Sequence, residues 1–288
     1  MHPMLAAAWI VGSTLAALLP AAGLLHLVGK VGPAGRSLSA WLCRAPGLDL
    51  VIAWFTAMPM IAGPIAGARL IGPAWGTWGG IGLGLVAAIA GQVLTVCLWT
   101  VAHELAHRDA VKGPRIVKVI NRLFGPWRNH AAAWCTDLCV PVFFIVRVAE
   151  YIVYPPLTWL IRLPRYRGAD WVNVSRHKFR GLVGHDLIWC LYCDWMTGVW
   201  SLGAEMLRNV ETFWCPIRFD SAKKCENCRV DFPDIANGWV PADATMEQVE
   251  QRLAEKYSTQ GPNAWFGHPV RLTVDGVRVP ERPEGGGS

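Results

Sequence analysis

WGTWGGIGLGLVAAIAGQVLTVCLWTVAHELAH, Trp75–His107, decides how this chain is read. Up to Ala102 the stretch has no charged side chain, and about 20 apolar helical residues suffice to cross a hydrocarbon core of roughly 30 Å. It then ends on HELAH, which places His103 and His107 four residues apart on one helical face with Glu104 between them. A membrane helix that delivers a metal-ligand motif to the water interface is therefore expected.

The same test applied outward finds two more spans. From Met4 to Val28 the only ionisable side chain is His26, and Leu48 to Ile71 carries only Asp49 and Arg69. Pro20, Pro59 and Pro64 fall inside these runs, where a membrane helix tolerates them with kinks. A fourth apolar stretch, Leu138 to Leu163, contains Arg147, Glu150, Pro155, Pro156 and Arg162. Since a charge at mid-bilayer costs about 2.5–3.5 kcal/mol on insertion scales, it reads as a re-entrant or interfacial helical pair.

Across 288 residues the composition is 53% hydrophobic and 17% charged, with net charge +6. Lys30, Arg36 and Arg44 occupy the first connection, and Arg108, Lys112, Arg115, Lys118, Arg122 and Arg128 follow the third span. Both loops are expected in the cytoplasm, with the N-terminus outside and everything after Arg165 cytoplasmic. The basic residues flank membrane segments and fit anionic headgroups, and no nucleic-acid motif accompanies them. Trp127, Trp134, Trp159, Trp171 and Trp189 read as an interfacial belt.

The expected fold class is mainly α, with three to four transmembrane or re-entrant helices plus a small mixed α/β cytoplasmic metal-binding part. Residues 1–164 make the membrane domain, 165–280 the cysteine-rich domain and 281–288 a disordered tail. In the polar part, Ser201–Phe213 and Thr245–Tyr257 read as helices, the second with a Thr245/Gln248 capping box, and Val270–Val279 reads as a β-hairpin around Asp275 and Gly276.

HELAH is the first metal candidate, with Glu104 as catalytic base or additional ligand. Downstream, His130, His177, His185 and Asp186 supply further ligand candidates, and Glu150 lies within the apolar stretch. The second candidate is the pair of C-x2-C motifs, Cys190/Cys193 and Cys225/Cys228, with Cys215 between them. Two thiolates from one tight turn can take adjacent corners of a tetrahedron, so a structural zinc is expected there in a reducing compartment. A rubredoxin-like iron that feeds electrons to the membrane site is the alternative. Cys135 and Cys139 read as packing residues.

The stretch TVAHELAHRDAVKGPRIVKVINRLFG resembles the first histidine box of membrane alkane hydroxylases and fatty-acid desaturases. This resemblance implies a di-iron, oxygen-dependent oxidoreductase acting on a lipid-like substrate at the membrane surface, with an electron-donor protein as partner. The chain has no adjacent histidine pair, so His130, His177 and His185 would serve singly. HELAH followed by Arg108 and Asp109 also looks like a membrane zinc metalloprotease, with Glu104 as base and Glu150 or His130 as third ligand. A non-enzymatic membrane assembly subunit with structural zinc is the third reading.

Overall fold

A computed structural model describes residues 2–161, 163–179, 181–217, 240–259, 273–274 and 277–278. Four helical segments among them are long and apolar enough to cross a membrane: Pro3–Val28, Gly47–Leu70, Thr77–Ala106 and Pro126–Leu160. The mainly helical expectation holds and fits an integral membrane protein. The chain forms two compact units, residues 1–143 with 172–198, and residues 144–171 with 199–288.

The first unit is built on α1 (Pro3–Val28), α4 (Ala57–Leu70) and α6 (Thr77–Ala106). Lipid tails are as apolar as leucine, so such helices associate through close van der Waals approach at small residues. Gly63 and Gly67 of α4 meet Gly80 and Gly84 of α6 backbone to backbone. A Cβ at Gly67 would collide with the Gly80 carbonyl, and one at Gly84 with the Gly63 carbonyl. Gly91 of α6 admits Thr14 of α1 in the same way, and Ala6, Ala7, Ile10, Ile71, Ala87 and Ala88 close the core around these contacts.

The second span is two helices, α3 (Gly47–Phe55) and α4, separated at Thr56. Pro59 in the first turn of α4 has no N–H to give the Phe55 carbonyl four residues earlier. Gln92, buried in the middle of α6, supplies the missing donor: its Nε2 bonds the carbonyls of Phe55 at 2.8 Å and Thr56 at 3.2 Å. Pro20 and Pro64, by contrast, lie within unbroken helix.

Beyond α6 come α7 (Arg108–Lys112), α8 (Ile116–Phe124) and α9 (Pro126–Asp137). The chain re-enters the first unit where the Val172 carbonyl accepts the Ala45 amide and the Val174 amide bonds the Cys43 carbonyl. The first half of α13 (Gly184–Trp214) also belongs here, tied through Trp195 Nε1 to Asp49 at 2.9 Å. Residues 172–198, assigned by sequence to the polar part, thus pack with the first three spans.

The second unit contains the rest of the fourth stretch. Where a re-entrant pair was expected, α9, α10 (Val140–Val148), a π-helical turn (Ala149–Val153) and α11 (Tyr154–Leu160) form one helical run, interrupted only by a turn at Leu138–Cys139. Arg147 bonds Glu150 directly and donates to the Tyr151 hydroxyl at 2.6 Å. Both charges are buried, at 3% and 7% exposure, and each ion is the other's solvation. Tyr154, Leu163, Leu202 and Met206 form the local core.

The remaining described helices are α2 (Gly32–Leu42) and the short α5 (Gly72–Trp75), α12 (Gly168–Trp171) and a 3-10 turn (Arg176–Lys178), and the C-terminal α14 (Met246–Thr259). Helix α14 starts where the capping box places it, with the Thr245 amide bonded to Gln248 Oε1. Ser201–Phe213 is helical as expected, but as the end of α13 rather than a short helix. The expected hairpin is present as β1 (Thr273–Val274) and β2 (Val277–Arg278), antiparallel with Val274 opposite Val277. These are the only strands among the described residues, so no mixed α/β domain is seen there; the hydrophobic alternation was confined to one hairpin, too little to build a sheet.

Candidate metal centre

His103 and His107 lie at the C-terminal end of α6, and His26 in the last turn of α1 closes on them. One ligand nitrogen from each of the three falls within 4.8 Å of the others. Two spans therefore contribute imidazoles to one point. The His103 and His107 rings stack at 4.3 Å, His26 approaches both edge-on at 5.1 and 5.4 Å, and Trp99 stacks on His103 at 4.4 Å.

The hydrogen bonds set which nitrogen each ring offers. Nδ1–H of His107 donates to the His103 carbonyl at 2.9 Å, which leaves the Nε2 lone pair of His107 available. The Gly184 N–H donates to Nδ1 of His103 at 3.1 Å, which in a neutral ring places the ring proton on Nε2, so His103 offers a metal its Nδ1 lone pair only in place of this bond. The Lys30 ammonium approaches Nε2 of His26 at 3.4 Å. A metal cation and Lys30 would compete for that one electron pair. Three imidazoles gathered this closely, with the His107 ring fixed by an outer hydrogen bond, suit a divalent transition ion such as zinc or iron.

The cluster sits at one end of a cavity of about 670 Å³. Its wall follows α6 through Gln92, Thr95, Val96 and Trp99 to His103 and His107, and includes Leu18, Phe55, Leu187 and Leu191. From Gln92 to His107 that wall is about 22 Å long at 1.5 Å per residue. The lining is overwhelmingly apolar, and the polar groups at the far end are turned into the fold: Thr95 Oγ1 donates to the Gly91 carbonyl and Gln92 to Phe55 and Thr56.

Glu104 points elsewhere. Its carboxylate accepts from Arg115 at 2.7 Å, and Arg115, 4% exposed, also bonds Asp186 at 2.9 Å and the Val183 carbonyl at 3.1 Å. Asp186 in turn accepts the backbone amides of Ile116 and Val117. Burial alone would raise the Asp186 carboxyl, but hydrogen bonds from His185, Arg115 and the Val117 amide outweigh it and hold it at about 2. Gly184 has a positive φ of 54° and packs on Glu104 so closely that a side chain there would strike the carboxylate.

Of the remaining sequence candidates, His177 lines the cavity. His130 and His185 meet each other edge-on at 4.9 Å, and Trp189 donates to His185 Nε2 at 2.8 Å. Cys190 and Cys193 lie one turn apart on α13, where burial pushes the Cys190 thiol up. Cys225 and Cys228 lie outside the described residues. Among the described residues, His26, His103 and His107 form the one group of three ligands. His26 escapes motif reading because its partners are 77 and 81 positions away. The available signal was its isolation as the only ionisable side chain of the first span, at the end beside Lys30.

Comparison with protein families, curated proteins and solved structures finds no match to this chain.

Proposed function

We propose that this protein is an integral membrane, metal-dependent oxidoreductase that acts on a lipid-like chain, with its metal held by His26, His103 and His107. The observation that carries the reading is the convergence of three imidazoles from two apolar spans at one end of a long apolar cavity. Three ligands suit one ion, which narrows the di-iron expectation to a mononuclear site. Bound iron would supply the one-electron and oxygen chemistry, with dioxygen as oxidant and an electron-donor protein as reductant. The chain's own residues bind and exclude: the α6 wall aligns an extended chain with one part of it beside the imidazoles, and Trp99 packs behind His103.

The zinc hydrolase reading loses support from Glu104. A general base must reach the proton it removes, and this carboxylate is bonded to Arg115 instead of lining the cavity. The cytoplasmic placement expected for everything after Arg165 draws support, for residues 172–198, from within the first unit. There residues 172–174 bond the first loop at Cys43–Ala45, and Gly184 bonds His103.

Metal analysis of the purified full-length protein tests the assignment. Iron close to one per chain is expected, lost in His26→Ala and His107→Ala and retained in His130→Ala. Zinc in place of iron would restore the hydrolase, and full metal content in His26→Ala would overturn the three-histidine site.

A further inference from the structure

Helix α8, IVKVINRLF, divides its surface three ways. At 100° per residue, Ile116, Val119 and Leu123 fall on one edge, Lys118 and Arg122 on the next, and Val117 and Ile120 on the side opposite the basic edge. Exposure follows that division. Val117 and Ile120 are half-buried and Asn121 accepts from Asn129 at 2.8 Å, so this side docks on the chain. Ile116, Val119 and Leu123 are 53%, 46% and 67% exposed; Phe124, the last residue of the helix, is on the docking side by angle yet 61% exposed, and Trp127 just beyond is 80% exposed. An exposed apolar edge bordered by a basic one requires a cover that is apolar and anionic together.

Two observations select that cover. Helix α8 begins shortly after α6 ends, so it sits where a membrane-length helix meets water. Its depth is fixed as well: Asp186 takes its first two amides and Arg115, just before it, bonds Glu104 of α6, so the apolar edge is fastened to the end of the span. The exposed charges around it, Arg108, Lys118, Arg122 and Arg128, are basic, and the one acid of the segment, Asp109, is already paired with Lys112.

We propose that α8 is an interfacial helix that lies in the membrane surface and gathers anionic lipid headgroups on Lys118 and Arg122. Its apolar edge enters the acyl boundary while the two basic side chains extend to the headgroups. The proposal goes beyond the metal-dependent function and does not depend on it.

The test uses the full chain in nanodiscs of phosphatidylcholine, with or without phosphatidylglycerol. A bimane label at Leu123→Cys should be quenched by nitroxide-bearing acyl chains and shielded from aqueous iodide, whereas one at Lys118→Cys should show the reverse. Equal iodide quenching at both positions would overturn the interfacial placement. Shielding of Leu123→Cys from iodide in detergent without lipid quenching in nanodiscs would assign the edge to a protein partner instead. In the Leu123→Cys background, headgroup-nitroxide phosphatidylglycerol should quench in preference to the phosphatidylcholine analogue. Adding Lys118→Ala and Arg122→Ala should reduce that preference by about 25-fold, at about 1 kcal/mol per basic residue near the surface. An unchanged preference would remove the headgroup assignment.

Discussion

The two ends of α6 are held by opposite means. At its N-terminal half, Gly80 and Gly84 let the helix touch α4 with nothing but backbone between them. At its C-terminal end the contacts described run through the side chains of α6: Arg115 on Glu104, the Gly184 amide on His103, His26 against His107. The first end depends on the absence of atoms and tolerates no addition. The second depends on atoms supplied from distant parts of the chain and tolerates no subtraction. A rigid seam at one end and an assembled polar cluster at the other leave the cavity between them with a fixed wall and a chemically adjustable head.

The comparison breaks most completely at the seam. Gly67→Leu should yield essentially no folded protein on detergent extraction, because the colliding partner is the Gly80 carbonyl and not a side chain that can turn away; the effect should exceed the roughly 1–3 kcal/mol of ordinary overpacking. Normal recovery and melting of this variant would show that the seam is not close-packed.

At the other end, Arg115→Met leaves Glu104 and Asp186 without their shared cation, and breaking such a buried pair costs about 3–5 kcal/mol. Thermal unfolding in detergent should show the loss. Adding Asp186→Asn should recover part of it, since the stranded charge is then gone; two purely additive losses would count against a shared network.

The same network sets an acid limit. Asp186 is depressed in the folded state to about 2, so its stabilising contribution is complete above its ordinary value near 4 and is lost as pH falls from there through the folded value. About 2 kcal/mol of stability should disappear between pH 4 and pH 2, and Asp186→Asn should flatten that slope. An identical slope in the variant would place the acid sensitivity elsewhere.

A loss of the same order belongs to Gln92→Leu, which leaves the Phe55 carbonyl unsatisfied inside an otherwise apolar bundle and should cost about 1–3 kcal/mol. Gln92→Glu, protonated in the bundle, keeps a single donor and should cost less.

Much of the membrane architecture was legible because length and hydropathy decide it locally, and HELAH was legible because its two histidines share one turn. The glycine seam was written in the same letters, Gly63-x3-Gly67 and Gly80-x3-Gly84, but shows its purpose only when the two helices are opposed. The site's remaining members were not legible. Arg115 reads as one more basic loop residue and Asp186 as a neighbour of His185, and nothing local says that they meet across 71 positions. In the fourth stretch the pairing was not legible either: counted separately, Arg147 and Glu150 are two charges in an apolar run, whereas one helical turn joins them.

The bond between Gln92 and the Phe55 carbonyl also has a history in time. The donor is made 37 residues after the acceptor, an interval of about 2–7 s at the usual pace of synthesis. During that interval the second span carries a carbonyl that its own proline has stripped of a partner. Until the middle of α6 emerges, that carbonyl adds about 1–3 kcal/mol to the cost of placing this span in lipid alone. Pairing the two segments removes that cost, so a translation pause placed between Pro59 and Gln92 would prolong the time for which the carbonyl lacks its donor.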